Sequence, residues 1–328
     1  MRFSAVLATV LAGSSTVSGH SIFASLFVNG DYKGPGIGKY IRGPPSNSPV
    51  KDTTSKDIIC NVNNSPVAEY IEVSAGDELT AEWFHNTRGD DIIDLSHKGP
   101  VIVYIAPAST NGEGAVWTKI WEEGFTNQWA VEKLVAASGH HSVTVPDLKS
   151  GDYLLRAEII ALHESDTDFT ANSARGAQFY MSCAQIRVVS SGSVTLGSGI
   201  NFQTDYKHDS PGILFDIYGA SPSSYIVPGG AVSSIAAPNQ RGIGAPPPAG
   251  SKPTTVAPST SAVPTGTTAP ATSAAPTTTT SAGQPATTIV ATSTSAPVVS
   301  ITSRPPINPT SKMVTVTIKP TETAAPTP

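Results

Sequence analysis

The composition changes abruptly near Ala245, and that break limits what can fold. From Ala245 to Pro328 the chain is dominated by Ser, Thr, Pro and Ala, and it contains no Cys, Trp, Tyr or Phe. Such a segment cannot bury enough apolar surface to offset the entropy of ordering it. Residues 245–328 are therefore expected to form a disordered, O-glycosylated tail. MVTVTIKP at 313–320 alternates as a strand would but stands alone. At the other end, residues 1–19 carry Arg2, an apolar centre, and the small residues Val17 and Gly19 just before His20. That pattern reads as a signal peptide for secretion, with an apolar centre too short to span a bilayer. The folded part is thus expected over 20–244, long enough for one substantial core.

Within 20–244, short alternating runs are separated by turn signals. YIEVSAGDELTAEWFH holds two such runs around Gly76-Asp77, and HSVTVPDLKSGDYLLRAEIIALH repeats the device around Pro146–Asp152. GAQFYMSCAQIRVVS is a longer strand candidate. Period two puts Gln178, Tyr180, Ser182 and Ala184 on one face of it, and Phe179, Met181 and Cys183 on the other. A Gln and a Tyr side by side suit either a functional surface or an ordinary solvated sheet face. Only NQWAVEKLVAAS and KIWEEG read as helical, both short. Many strands with few helices give an all-β, antiparallel sandwich whose long loops can carry a site.

The formal net charge is −5, with the 20 Lys and Arg scattered, so no basic patch points to nucleic acid. No stretch after the leader is long and apolar enough for a membrane helix, and KPTETAAPTP is not a lipid-anchor signal. Cys60 and Cys183 are the only cysteines, and in an exported chain one long-range disulfide is the simple reading. Asn63-Asn64-Ser65 is an acceptor for an N-linked glycan on Asn63, followed by Pro66.

All seven histidines follow the leader, and none makes the HExxH spacing of a zinc peptidase. A histidine at a new N-terminus has a special property: its α-amine and its ring can chelate one metal. The amine titrates near about 8, so a metal displaces its proton readily. One more imidazole completes three nitrogen ligands, a set that suits copper. His97, in DLSHKGPVIVYIA, is the stronger choice for that third nitrogen, and His85, in EWFH, is its rival. Tyr180 is placed to be a weak oxygen ligand with Gln178 beside it.

Taken together, HSIFASLFVNG, DLSHKGPVIVYIA, WTKIWEEGF, HSVTVPDLKSGDYLLRAEIIALHE, GAQFYMSCAQIRV and PGILFDIY…YIVPG resemble the fungal lytic polysaccharide monooxygenases that act on cellulose. These were once filed as family 61 glycoside hydrolases. The resemblance runs over about residues 20–230. It implies an immunoglobulin-like β-sandwich with a flat, exposed site holding one copper ion per chain. His20 would bind copper through amine and ring, His97 would be the third nitrogen, and Tyr180 the axial oxygen neighbour. His163 and Gln178 would donate hydrogen bonds beside the metal. Cys60–Cys183 matches a disulfide common in the family. Tyr225 would lie on the substrate-facing plane, with Tyr32 and Tyr40 extending it. The family's second disulfide is missing here, and Leu95 stands before Ser96 where Pro is expected.

The activity so implied is oxidative cleavage of β-1,4-glucan, hydroxylating carbon 1 or carbon 4 of cellulose or a related β-glucan such as xyloglucan. It takes dioxygen or hydrogen peroxide and an external small-molecule or protein electron donor, and the enzyme is expected to be a secreted monomer. Two rivals remain open at this stage. A secreted glycoside hydrolase needs paired carboxyls, for which Asp90, Asp91, Asp94, Glu158 and Glu164 are available. A non-catalytic carbohydrate-binding wall protein would need only the tail and exposed aromatics.

Overall fold

The structure is a computed structural model that describes residues 19–251. The expected leader up to residue 18 and the tail from residue 252 lie outside the described residues. Eleven strands are described: β1 (Ile22–Val28), β2 (Asp31–Pro35), β3 (Ile41–Arg42), β4 (Ile71–Val73), β5 (Glu78–Phe84), β6 (Val101–Pro107), β7 (Thr118–Glu123), β8 (His140–Thr144), β9 (Gly151–Ala161), β10 (Gln178–Val188) and β11 (Gly242–Ile243). Two short α-helices accompany them, α1 (Ala130–Ala136) and α2 (Phe202–Asp205).

The strands form two sheets. One has the order β11-β8-β5-β1-β2, and the other runs β3-β10-β9-β6-β7 with β4 added to β10. Every pairing among them is antiparallel except β4 with β10. The expected sandwich is therefore present, with one parallel pair at the edge of its second sheet. Asn29 and Gly30, both at positive φ (51° and 83°), make the two-residue turn joining β1 to β2. That is the turn whose twist matches paired antiparallel strands.

β9 and β10 are buried on both faces, because the second sheet separates two apolar clusters. Tyr180, Ala184 and Ile186 of β10 join Leu26, Trp83, Val103 and Ile159 in the first. Phe179, Met181 and Cys183 join Tyr104, Trp117, Phe202 and Tyr206 in the second, beneath the long loops. Each fully buried Leu, Ile or Phe contributes about 1.5–3 kcal/mol from leaving water. The Gln178/Tyr180 face is thus no solvated sheet face. The disulfide joins Cys60 to Cys183 across a separation of 123 residues and ties the loop after a short 3₁₀ turn (56–58) to β10.

KIWEEG, read as helical, is strand β7 instead. The register slips between Val103↔Trp121 and Tyr104↔Lys119, so Ile120 is an extra residue opposite β6. That bulge turns Ile120 and Trp121 in succession toward the first cluster and erases the alternation that marks a strand. The Lys119–Glu122 ion pair also mimics helical spacing. NQWAVEKLVAAS does contain α1, whose start is capped by Glu132 accepting from the Trp129 N–H at 2.8 Å.

The packed chain also runs past the expected limit at Gly244. Pro247 is buried, and the carbonyls of Pro247 and Pro248 lie where a Cβ on Gly30 would be, 2.2 and 2.5 Å away. No described helix is long and apolar enough to cross a membrane.

Candidate metal centre

The sandwich brings the predicted ligands to one end. His20 stands two residues before β1, whose Ile22 pairs with Phe84 at the end of β5. His97 lies on the loop feeding β6, His163 follows β9, and Gln178 and Tyr180 open β10. Val101, Ile159 and Tyr180 are consecutive across β6, β9 and β10, so these three strands deliver their residues to the same edge. The His97 turn is tight: the backbone N–H of His97 donates to Asp94 O at 3.0 Å, and that of Ser96 to Asp94 Oδ1 at 2.7 Å.

Three rings face one another there. The His20 and His97 ring centres are 6.4 Å apart and nearly perpendicular, at 83°. The Tyr180 ring lies 5.9 Å from His20 and 6.0 Å from His97. A metal–nitrogen bond of about 2 Å, plus about 1 Å from nitrogen to ring centre, spans about 6 Å when taken on both sides. The two imidazoles are therefore spaced to share one ion, with the phenol as neighbour. Gly19 completes the geometry: a Cβ there would sit 2.0 Å from Cε1 of His97. The backbone entering His20, where an α-amine would stand after a cut, thus lies against the His97 ring.

The electrostatics suit metal binding. Burial, the neighbouring His163 and His20 push His97 down to about 4, so its ring is neutral at ordinary pH. Burial likewise lowers His20 and His163. Neutral imidazole is the ligating form. Burial, with the Glu164 charge beside it, raises Tyr180 and keeps its phenol protonated. His163 packs 4.2 Å from His97 between ring centres. Gln178 links the set, accepting from the Tyr180 hydroxyl at 2.6 Å and lying 3.3 Å from His163 Nε2. The His163 Nδ1 is buried with no hydrogen-bond partner among the described residues.

His85, the rival ligand, is also near. Its Nδ1, however, is 3.0 Å from Asp91. His85, Asp90 and Asp91 can bring one ligand atom each within 4.8 Å. Both Asp90 oxygens, however, already accept backbone N–H groups, from His85 and Ile92 on one and from Asn86 and Thr87 on the other. Asp90 is thereby the staple of this loop.

The surface aromatics fall out differently from expectation. Tyr40 is buried, not exposed: its hydroxyl donates to Gly34 O at 2.6 Å, and burial pushes its pKa up to about 12. Tyr225 is half-buried, its hydroxyl donating to Gly212 O and its ring edge-on to Trp129 and Phe215. Tyr40 presents no ring face to a substrate, because burial and its bond to Gly34 O anchor it inward. Tyr32 is 39% exposed, but the Arg88 guanidinium covers it at 4.0 Å. The outward aromatic of PGILFDIY…YIVPG is Tyr218, 74% exposed, which sequence reasoning passed over. Asn63 is exposed, as a glycan acceptor must be.

Sequence reasoning offered Glu164 only as a hydrolase carboxyl and missed its hydrogen bond to Gln178; it also missed Lys51, which stands against Glu164, and Asn47, which hydrogen-bonds His20. Lys51 and Asn47 come from segments more than a hundred residues before β10, and Glu164, 14 residues before Gln178, lies in the loop after β9, so no strand or helix period signals them. Among the carboxyls of the hydrolase rival, Glu158 is sealed at 0% exposure, bonded to Arg156 and Tyr206. Asp90 and Asp94 serve loop backbone, and Glu164 accepts from the Gln178 amide.

Residues 20–225, which hold the whole ring cluster, match the model of Auxiliary Activity family 9, formerly GH61. The chain belongs to this family. The AA9 family lytic polysaccharide monooxygenase A of Armillaria gallica is 48% identical over 218 residues, covering 66% of this chain and 87% of that protein. That of Schizophyllum commune is 48% identical over 238 residues, covering 70% and 94%. The solved structure of CvAA9A superposes with a TM-score of 0.65 at 44% identity, over 66% of this chain and all of that one. A cellulose-active polysaccharide monooxygenase from M. thermophila gives 0.53 at 27%, over 65% and 99%. The family makes the chain an oxidoreductase, a metal-dependent monooxygenase that cleaves polysaccharide oxidatively, and the β-sandwich and Cys60–Cys183 disulfide agree with it.

Proposed function

We propose that this AA9 enzyme is a secreted, copper-dependent monooxygenase of β-1,4-glucan, cellulose or a close relative, hydroxylating carbon 1 or carbon 4. The observation that carries the reading is the His20–His97–Tyr180 triangle, with ring centres 5.9 to 6.4 Å apart. His20, freed at its amine by removal of residues 1–19, would hold one copper with amine and ring, and His97 would supply the third nitrogen. Copper so held supplies one-electron redox chemistry, drawing on an external donor and on dioxygen or hydrogen peroxide.

The chain's own residues have separate tasks. Tyr180 fills the position beside the two imidazoles, its phenol kept protonated by burial in the metal-free protein. Gln178 and His163 present hydrogen-bonding groups beside that position, with the His163 Nδ1 unspent. The Tyr218 ring offers an apolar face for a pyranose, and stacking of this kind needs no charge. The tail from 245 is read as a glycosylated stalk, Asn63 as a glycan acceptor, and the enzyme as a monomer.

The test combines three measurements. N-terminal sequencing of the secreted protein is expected to begin at His20. Calorimetric titration is expected to give one copper per chain, lost in His97→Ala and kept in Gln178→Ala, which loses turnover. Products from cellulose are expected to be oxidised sugars, whose oxidised carbon gives the regiochemistry. A start other than His20, or unchanged copper affinity in His97→Ala, overturns the ligand assignment.

A further inference from the structure

Two segments meet at the Gln178 amide, and a third reaches the carboxylate that holds it. The amide oxygen accepts from the Tyr180 hydroxyl at 2.6 Å, and its nitrogen donates to Glu164 Oε2 at 2.9 Å and lies 3.3 Å from His163 Nε2. Glu164 is itself held in place. Its carbonyl accepts from Gly176 N at 2.9 Å, and the next residue, Ser165, closes a turn on Leu162 O through both N–H and hydroxyl. Lys51 approaches from the third segment, because Val50 and Phe179 exchange both backbone hydrogen bonds, at 2.9 and 2.8 Å. Its ammonium donates to Ala174 O at 2.8 Å and stands 3.5 Å from the Glu164 carboxylate.

These contacts decide which way a symmetric-looking amide points. A carboxylate only accepts, so the Gln178 group facing it must be the N–H. With the amide turned over, its oxygen would meet the Glu164 oxygen, acceptor against acceptor. The amide nitrogen would then donate to the Tyr180 oxygen. A phenol has one hydrogen and two lone pairs. In the observed orientation the hydrogen is spent on Gln178, and lone pairs remain for the side facing His20 and His97. In the reversed orientation a lone pair is used by Gln178, and the hydroxyl hydrogen is free to turn toward that side, where it would oppose a cation.

We propose that Glu164 is a positioning residue: by fixing the Gln178 amide it makes Tyr180 a donor to Gln178 and turns the phenol lone pairs toward the His20–His97 pair. The consequence for the metal rests on the copper reading given above. The hydrogen-bond orientation does not, and the two parts are tested separately.

Neutron diffraction on deuterated, metal-free crystals of the mature protein locates the hydrogens directly. In the parent the Gln178 amide deuterons are expected toward Glu164 and the Tyr180 deuteron toward Gln178. In Glu164→Ala, with Lys51 left to attract the amide oxygen, the amide is expected to reverse. Glu164→Gln keeps an accepting oxygen and is expected to match the parent. Glu164→Leu replaces the alanine variant if that one does not fold. In copper-loaded protein the reversal is expected to shift the Cu(II) hyperfine coupling in electron paramagnetic resonance, at unchanged stoichiometry, while Glu164→Gln is unshifted. An alanine or leucine variant with the parent's deuteron positions overturns the proposal, whatever its melting temperature. A parent that binds no copper through histidine nitrogens overturns the copper reading instead, and the neutron result still decides the role of Glu164.

Discussion

Acid should destabilise this protein through one histidine far from any ligand set. His141 lies on β8 opposite Ala81 of β5, 1% exposed, with its ring stacked on Trp121 at 5.6 Å and 10° and tilted against Trp83 at 6.3 Å. Neither ring nitrogen has a hydrogen-bond partner among the described residues. Burial, and to a smaller extent the neighbouring His140, pushes its pKa down to about 3. The folded state thus holds the ring neutral, whereas in the unfolded chain it titrates near about 6.5. Below that value the unfolded state binds the extra proton. The contribution is therefore fully present above about pH 6.5 and is lost progressively as pH falls toward about 3. At about pH 5 the unfolded form is favoured by a factor of about 30, which is about 2 kcal/mol at 1.36 kcal/mol per pK unit. The assay is guanidinium unfolding of the metal-free protein at about pH 7 and about pH 5, for the parent and for His141→Phe. Phenylalanine keeps an aromatic ring between the two tryptophans but cannot take a proton. Both proteins share His97 and the other titrating groups, so their difference isolates His141. The parent is expected to lose about 2 kcal/mol more than the variant between the two pH values. Equal losses would refute the assignment of a buried, neutral His141.

Three further outcomes follow from the packing. Replacing Cys60 and Cys183 by Ser opens a loop spanning 123 residues and should cost about 5 kcal/mol on the chain-entropy account, read by denaturant unfolding. Glu158→Ala leaves the Arg156 guanidinium buried without its partner and should cost about 3–5 kcal/mol. A loss below about 1 kcal/mol would mean the pair is solvated rather than sealed. Ending the chain after Ser251 should leave the melting temperature unchanged. Ending it after Gly244 removes buried Pro247 from the Gly30 turn and should lower melting by about 2–4 °C, an effect of about 1 kcal/mol.

Much of this protein is written locally. Alternation with Gly-Asp and Pro-Asp turn residues marks β5, β8, β9 and β10, and two cysteines admit one pairing. The proposed ligand set could be named because His20, SHKGPV and GAQFY are short ordered motifs that carry a family resemblance. Composition alone set the approximate start of the tail. Tertiary structure decided what local pattern does not encode. A bulge opposite Val103 made KIWEEG a strand, since one inserted residue defeats a period-two reading. Burial turned Tyr40 and Tyr225 into loop anchors and left Tyr218 outside, because a tyrosine's exposure depends on what packs over it. Glu164 reaches Gln178 because β9 pairs with β10, and Lys51 reaches Glu164 because Val50 bridges Phe179. Chain distance hides such contacts: a hydrogen bond between residues a hundred positions apart leaves no periodic trace in either segment, and only the closed sandwich brings the donor to its acceptor.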